Sequence, residues 1–158
     1  MRGVIVRDGF RRTIGGVEVY ALHPGEGLSA GDNDSSLTLR LRYGPTTVLF
    51  PGDLEAEGER ALLEAHGGEV RSTLLKAPHH GSRTSSSPAF LDAVAPEIAI
   101  VSAGNNNRFG FPHQAVLERY RERNVELWRT DRDGAVTVRI AVDGTIQITA
   151  GSAAPRSK

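Results

Sequence analysis

The residues of this chain best suited to chemistry are the adjacent pair His79 and His80, followed by Gly81 and Ser82. An imidazole binds a metal through one ring nitrogen while a neighbour holds the other. Neighbouring residues of an extended chain point to opposite sides, so one histidine can take a metal while the other orients it or meets substrate. Asp53, after Pro51-Gly52 at the end of an apolar run, is the third candidate. A carboxylate there projects into a site while the backbone comes close; it would equally serve as N-cap of a helix starting near Leu54. One Asp with two or three His suits a borderline divalent ion, zinc or manganese. A two-metal hydrolytic centre asks for about six protein ligands, more than these residues supply.

A further cluster follows at Asn105, Asn106, Asn107 and Arg108. Amides and a guanidinium can hold phosphate, or the run is an ordinary polar loop. His113 opens a helix, from which it reaches the same crevice or faces water. Ser82 is a candidate substrate contact. It lacks the G-x-S-x-G elbow of an activated nucleophile, and hydrogen bonding within a turn is its favoured role. Lys76, Arg83 and Arg108 would flank the crevice with positive charge suited to a phosphodiester, or lie on a solvated face.

These residues need elements to position them. Short β-like runs at 4–6, 12–14 and 17–22 are separated by glycines. Residues 37–43 (LTLRLRY) alternate apolar and polar, and Gly44-Pro45 turns the chain into 46–50 (TTVLF), a hairpin. Residues 54–66 read as a surface helix stopped by Gly67-Gly68, 73–77 as a strand, and Ser87-Pro88 as the cap and first residue of a helix to Val94. A buried strand at 98–102, a helix within 112–124 and three β-like runs at 126–128, 135–140 and 145–149 complete the pattern, the last two joined by Asp143-Gly144. Strands lead and then alternate with helices, which predicts an α/β fold with a mixed sheet and flanking helices. Three strands end in polar clusters, at Asp53, at His79-His80 and at 104–113. If they are parallel neighbours, the clusters converge on one edge.

Composition narrows the function classes. The 158 residues suffice for one domain with a core, and the 19 basic and 19 acidic residues give a net charge of zero. A strongly basic, nucleic-acid-coating protein is thereby excluded, and any contact with DNA must come from a local patch. The absence of cysteine excludes disulfides and thiolate metal sites. No apolar run approaches the ~18 residues of a membrane helix, and the charged start is no signal peptide, which makes a soluble, cytoplasmic chain the default expectation.

Taken together, NDSSLTLRL, VLFPGDLEAEGE, LLKAPHHGSRTSSSPAFL, AIVSAGNNNRFGFPH and WRTDRDGAVTV resemble the metallo-β-lactamase-like domain of the ComEC competence family, over roughly residues 17–140. The resemblance implies an αββα sandwich of which this chain is the C-terminal half or more, spanning 1–150 and followed by a flexible tail at 151–158. It implies metal-dependent hydrolysis, with DNA as substrate during uptake, in a membrane-attached parent that carries this domain on its outer face. Asp53 then resembles the bridging metal carboxylate, and His79 or His80 the late metal-binding histidine, with His79 favoured. Asn33 stands where related hydrolases place a histidine. His113 matches the second His of a Gly-His-Pro-His run whose first is Phe111 here. The family's early His-x-Asp-x-Asp-His motif has no counterpart before Asp53, so the chain is expected to need a partner half-domain or a second copy of itself. A DNA- or protein-binding remnant without turnover is the alternative.

Overall fold

The computed structural model describes residues 5–25 and 33–151. Seven strands form one sheet in chain order: β1 (Arg11–Ile14), β2 (Val17–His23), β3 (Thr38–Tyr43), β4 (Thr46–Phe50), β5 (Leu74–Lys76), β6 (Ile98–Val101) and β7 (Glu126–Arg129). β1 to β4 pair antiparallel, and β4 to β7 pair parallel. Connections set the difference. Gly15-Gly16 and Gly44-Pro45 are tight turns between antiparallel neighbours, whereas a parallel pair needs a crossover. The crossovers are α1 (Ala56–His66), α2 (Pro88–Val94) and α3 (Gln114–Glu122). Each leads one strand further in the same direction, and right-handed crossovers then place all three helices on one face. A single turn, α4 (Thr130–Asp133), leads to a separate antiparallel hairpin of β8 (Val136–Ile140) and β9 (Ile146–Ala150).

The core lies between this sheet and the helices. Leu49, Leu75, Ala99 and Leu127 are register partners across β4 to β7 and share one face. Leu62 of α1, Phe90, Leu91 and Val94 of α2, and Val116 and Tyr120 of α3 pack against them in one cluster. Each such fully buried side chain contributes about 1.5–3 kcal/mol of apolar burial, which fixes the parallel strands and hence the loops at their ends.

Helix starts follow local chemistry. Ser87 accepts a hydrogen bond from the Phe90 N–H and Pro88 takes the first helical position, as the sequence predicts. α1 differs. Its N-cap residue is Glu55, and the Asp34 carboxylate accepts from the N–H groups of Glu55 and Gly58 at 2.9 and 2.8 Å. Asp53 therefore does not cap this helix and is left for the strand-end cluster. Gly67 ends α1 in a right-handed conformation rather than a left-handed one. The expected strand at 4–6 does not form over Ile5 and Val6, and Val4 lies outside the described residues, as do 26–32 of the Gly-rich polar stretch 23–35, which reads as a loop in the sequence, and 152–158 of the expected tail.

Candidate functional site

β4, β5 and β6 are consecutive parallel neighbours, so the segments that follow them do meet at one edge of the sheet. They enclose a cavity of about 710 Å³. Asp53 comes from the first segment, His79 and His80 from the second, and Ser102, Ala103, Gly104, Asn107, Phe109 and Phe111 from the third.

The histidine pair is not extended. His79 and His80 both have left-handed backbone, φ 44° and 54°, within the turn Pro78–Gly81. Two such residues in succession cost about 1–3 kcal/mol each. The turn is held by tertiary contacts: the His79 N–H donates to the Gly52 carbonyl at 3.2 Å, and the His113 N–H donates to the Gly81 carbonyl at 2.9 Å. Gly81 has φ 82°, and a Cβ there would lie 2.6 Å from the Pro112 side chain. In place of opposite directions, the two rings lie with centroids 6.5 Å apart, and both line the cavity.

Their partners differ. His80 sets Nδ1 2.6 Å from the Ser102 carbonyl and Nε2 3.5 Å from Asp53 Oδ1. The carbonyl can only accept, so Nδ1 is the donor there and Nε2 is the nitrogen on the Asp53 side. His79 has Nδ1 2.9 Å from Glu55 Oε1, out of line for a hydrogen bond, and its ring meets the edge of Phe111 at 5.6 Å. Asn33 donates to the same Glu55 oxygen at 3.2 Å. The Asp53 N–H donates to Ser36 Oγ at 3.0 Å, and Lys76 Nζ stands 3.6 Å from Asp53 Oδ1. Burial lowers the Lys76 pKa from its ordinary value, with Asp53 pulling it back up.

The remaining candidates are placed otherwise. Asn107 lines the cavity but spends its side chain on its own loop: Nδ2 donates to the Gly104 and Phe111 carbonyls and Oδ1 accepts from the Phe111 N–H. Asn105 and Arg108 are exposed and do not line the cavity; the Arg108 guanidinium lies 4.8 Å from the Phe109 ring centre. His113 caps α3, with Nδ1 accepting from the Ala115 N–H at 3.2 Å. Ser82 is buried and bonded to Thr84 at 2.9 Å, the turn role, and Arg83 is exposed. Sequence reasoning passed over Glu55, Phe109 and the contact made by Phe111. Glu55 read as one more helix charge; the two phenylalanines in a Gly-rich polar loop were the signal available for the aromatic wall.

A metal can be tested against these donors. Among the described residues no three Asp, Glu, His or Cys side chains gather as a metal site. Asp53 and His80 fit one edge of a coordination shell: their 3.5 Å separation is close to the spacing of two ligands on a tetrahedral ion with ~2.1 Å bonds. The carbonyl on the far nitrogen of His80 is the support that metal-bound histidines usually have.

A sequence profile of the metallo-beta-lactamase superfamily matches residues 1–105. The chain is 42% identical over 121 residues to Competence protein ComA of Neisseria gonorrhoeae, a match covering 77% of this chain and 18% of that protein. It is 35% identical over 123 residues to ComE operon protein 3 of Bacillus subtilis (strain 168), covering 78% and 16%. It is 33% identical over 128 residues to Recombination protein 2 of Haemophilus influenzae, covering 81% and 16%. The chain thus spans less than a fifth of the length of these curated relatives. No helix among the described residues is long and apolar enough to cross a membrane.

Proposed function

Since this chain belongs to the metallo-beta-lactamase superfamily, in its ComEC-type competence branch, we propose that it is part of a metal-dependent phosphodiesterase acting on DNA. The observation that carries the reading is the Asp53–His80 edge, with an imidazole nitrogen and a carboxylate oxygen 3.5 Å apart, both residues lining the cavity. Zinc or manganese held there would polarise a phosphoryl oxygen and offset its developing charge. His80 is the better-placed ligand, and His79, set against Glu55 and Phe111, is a positioning residue. Asn105, His113 and Ser82 stand off the cavity, and we assign them no phosphate contact. Two donors do not complete a metal site, so this reading expects further ligands from outside the described residues, such as a partner half-domain or a second copy of this chain.

Calorimetric titration with manganese and with zinc tests this. Stoichiometric binding, lost in Asp53→Ala and His80→Ala but kept largely in His79→Ala, is the expected result. Heat that is indifferent to both Asp53→Ala and His80→Ala would end the reading. One observation favours a second reading, a DNA- or protein-binding module without turnover: the Lys76 ammonium already balances Asp53. That reading expects DNA binding that survives a chelator and weakens with salt.

A further inference from the structure

We propose that Phe109, braced by Phe111 and Arg108, is a stacking platform for an unpaired nucleobase, so that this cavity takes a single strand of DNA in preference to duplex. The inference rests on the phosphodiester reading above and adds the part of the substrate that the chain grips.

Phe109 is 63% exposed and lies outside the hydrophobic core, yet it lines the cavity. Its ring stacks on Phe111 with centroids 5.6 Å apart and planes 20° from parallel. Phe111 in turn meets His79 edge-on at 5.6 Å. One wall therefore runs from the Asp53 and His80 end of the cavity to a water-facing aromatic ring. The loop does not need that ring for its shape, because the three hydrogen bonds of Asn107 close it. A large apolar surface held in a defined position, beside polar groups and outside the core, fits a flat apolar ligand that carries a polar group. A nucleobase joined to its phosphodiester has this form. The Arg108 guanidinium against the Phe109 ring adds the positive charge that a neighbouring phosphate requires. Bases inside a duplex have both faces covered by their neighbours, so only an unpaired or frayed base can offer a face to the ring.

The test uses the full chain with saturating manganese at fixed low salt, read before any cleavage of the labelled strand. Fluorescence anisotropy compares a labelled thymidine oligomer with an abasic phosphodiester oligomer of equal length. Wild type is expected to prefer the thymidine oligomer. Phe109→Ala should weaken that binding about 5- to 150-fold, the range for one stacked base, and leave the abasic oligomer unchanged. Phe109→Trp should restore the preference. Equal binding of the two oligomers, or equal weakening of both by Phe109→Ala, overturns the platform and leaves the phosphodiester reading standing. Binding of neither oligomer overturns both.

Discussion

Among single residues, Glu59 carries the sharpest prediction outside the cavity. It is fully buried, and its two carboxylate oxygens accept from the N–H groups of Ser86 and Ser87 at the start of α2. Glu59→Ala removes both acceptors, and each buried N–H left without a partner costs about 1–3 kcal/mol. Urea unfolding should show a loss of that order. The pH dependence has a definite sign. Burial pushes the Glu59 carboxyl above its ordinary value, against the pull of Ser87, Ser86 and Arg119. A group raised in the folded state contributes its full stability below its unfolded pKa and loses it as pH rises through the folded one. The stability gap between wild type and Glu59→Gln should therefore narrow from acid toward neutral pH. A widening gap in the same urea series would mean that the two N–H groups outweigh burial. Asp53, His79 and His80 were legible in the sequence because they follow apolar strands directly. Glu59 and Glu55 were not, because a carboxylate on an amphipathic helix reads as solvated until its distant partners are known.

At the scale of elements, the turn Pro78–Gly81 couples fold to site. Gly81→Ala would place a methyl group against Pro112 at a backbone φ of 82°, a double strain that the His113–Gly81 hydrogen bond transmits to α3. We expect a lowered melting temperature together with weakened metal binding; a stable variant with unchanged metal affinity would show that the turn does not position His80. Asp34→Ala removes the side chain that accepts from two part-buried N–H groups at the start of α1, and should cost about 0.5–2 kcal/mol in thermal unfolding, as loss of a cap does. These elements also mark where sequence reading succeeds. The alternation in β3, the Gly44-Pro45 turn and the Ser87-Pro88 start are local signals, and all appear as expected. The left-handed histidine pair, the remote cap at Asp34 and the turn α4, where Asp133 accepts from the Arg129 N–H, depend on contacts or backbone strain that residue patterns do not carry.

For the whole molecule, the decisive feature is the sheet face turned away from the helices. There Val19, Leu41 and Val48 align across β2, β3 and β4, with Leu39 and Phe50 as the adjoining row. The parallel side is covered: Leu74, register partner of Val48, is only 2% exposed. The β8–β9 hairpin meets this sheet at its tip, where Val142 and Gly144 lie against Gly44 and Pro45 of the β3–β4 turn. On the β2 to β4 side Phe50 is 41% exposed. Layered folds bury both apolar faces of such a sheet, and a contiguous apolar stripe marks an association surface. The proposed half-domain or second copy would occupy this stripe, which lies on the same sheet as the strand end that carries Asp53. We therefore expect the isolated chain to self-associate, with a light-scattering mass that rises with concentration. Introducing charge with Leu41→Lys and Val48→Lys should hold it at the monomer mass while circular dichroism stays unchanged. A wild-type chain that remains monomeric at every concentration would exclude the second copy, and the donors missing from the Asp53–His80 edge would then have to come from a different polypeptide segment seated on this face.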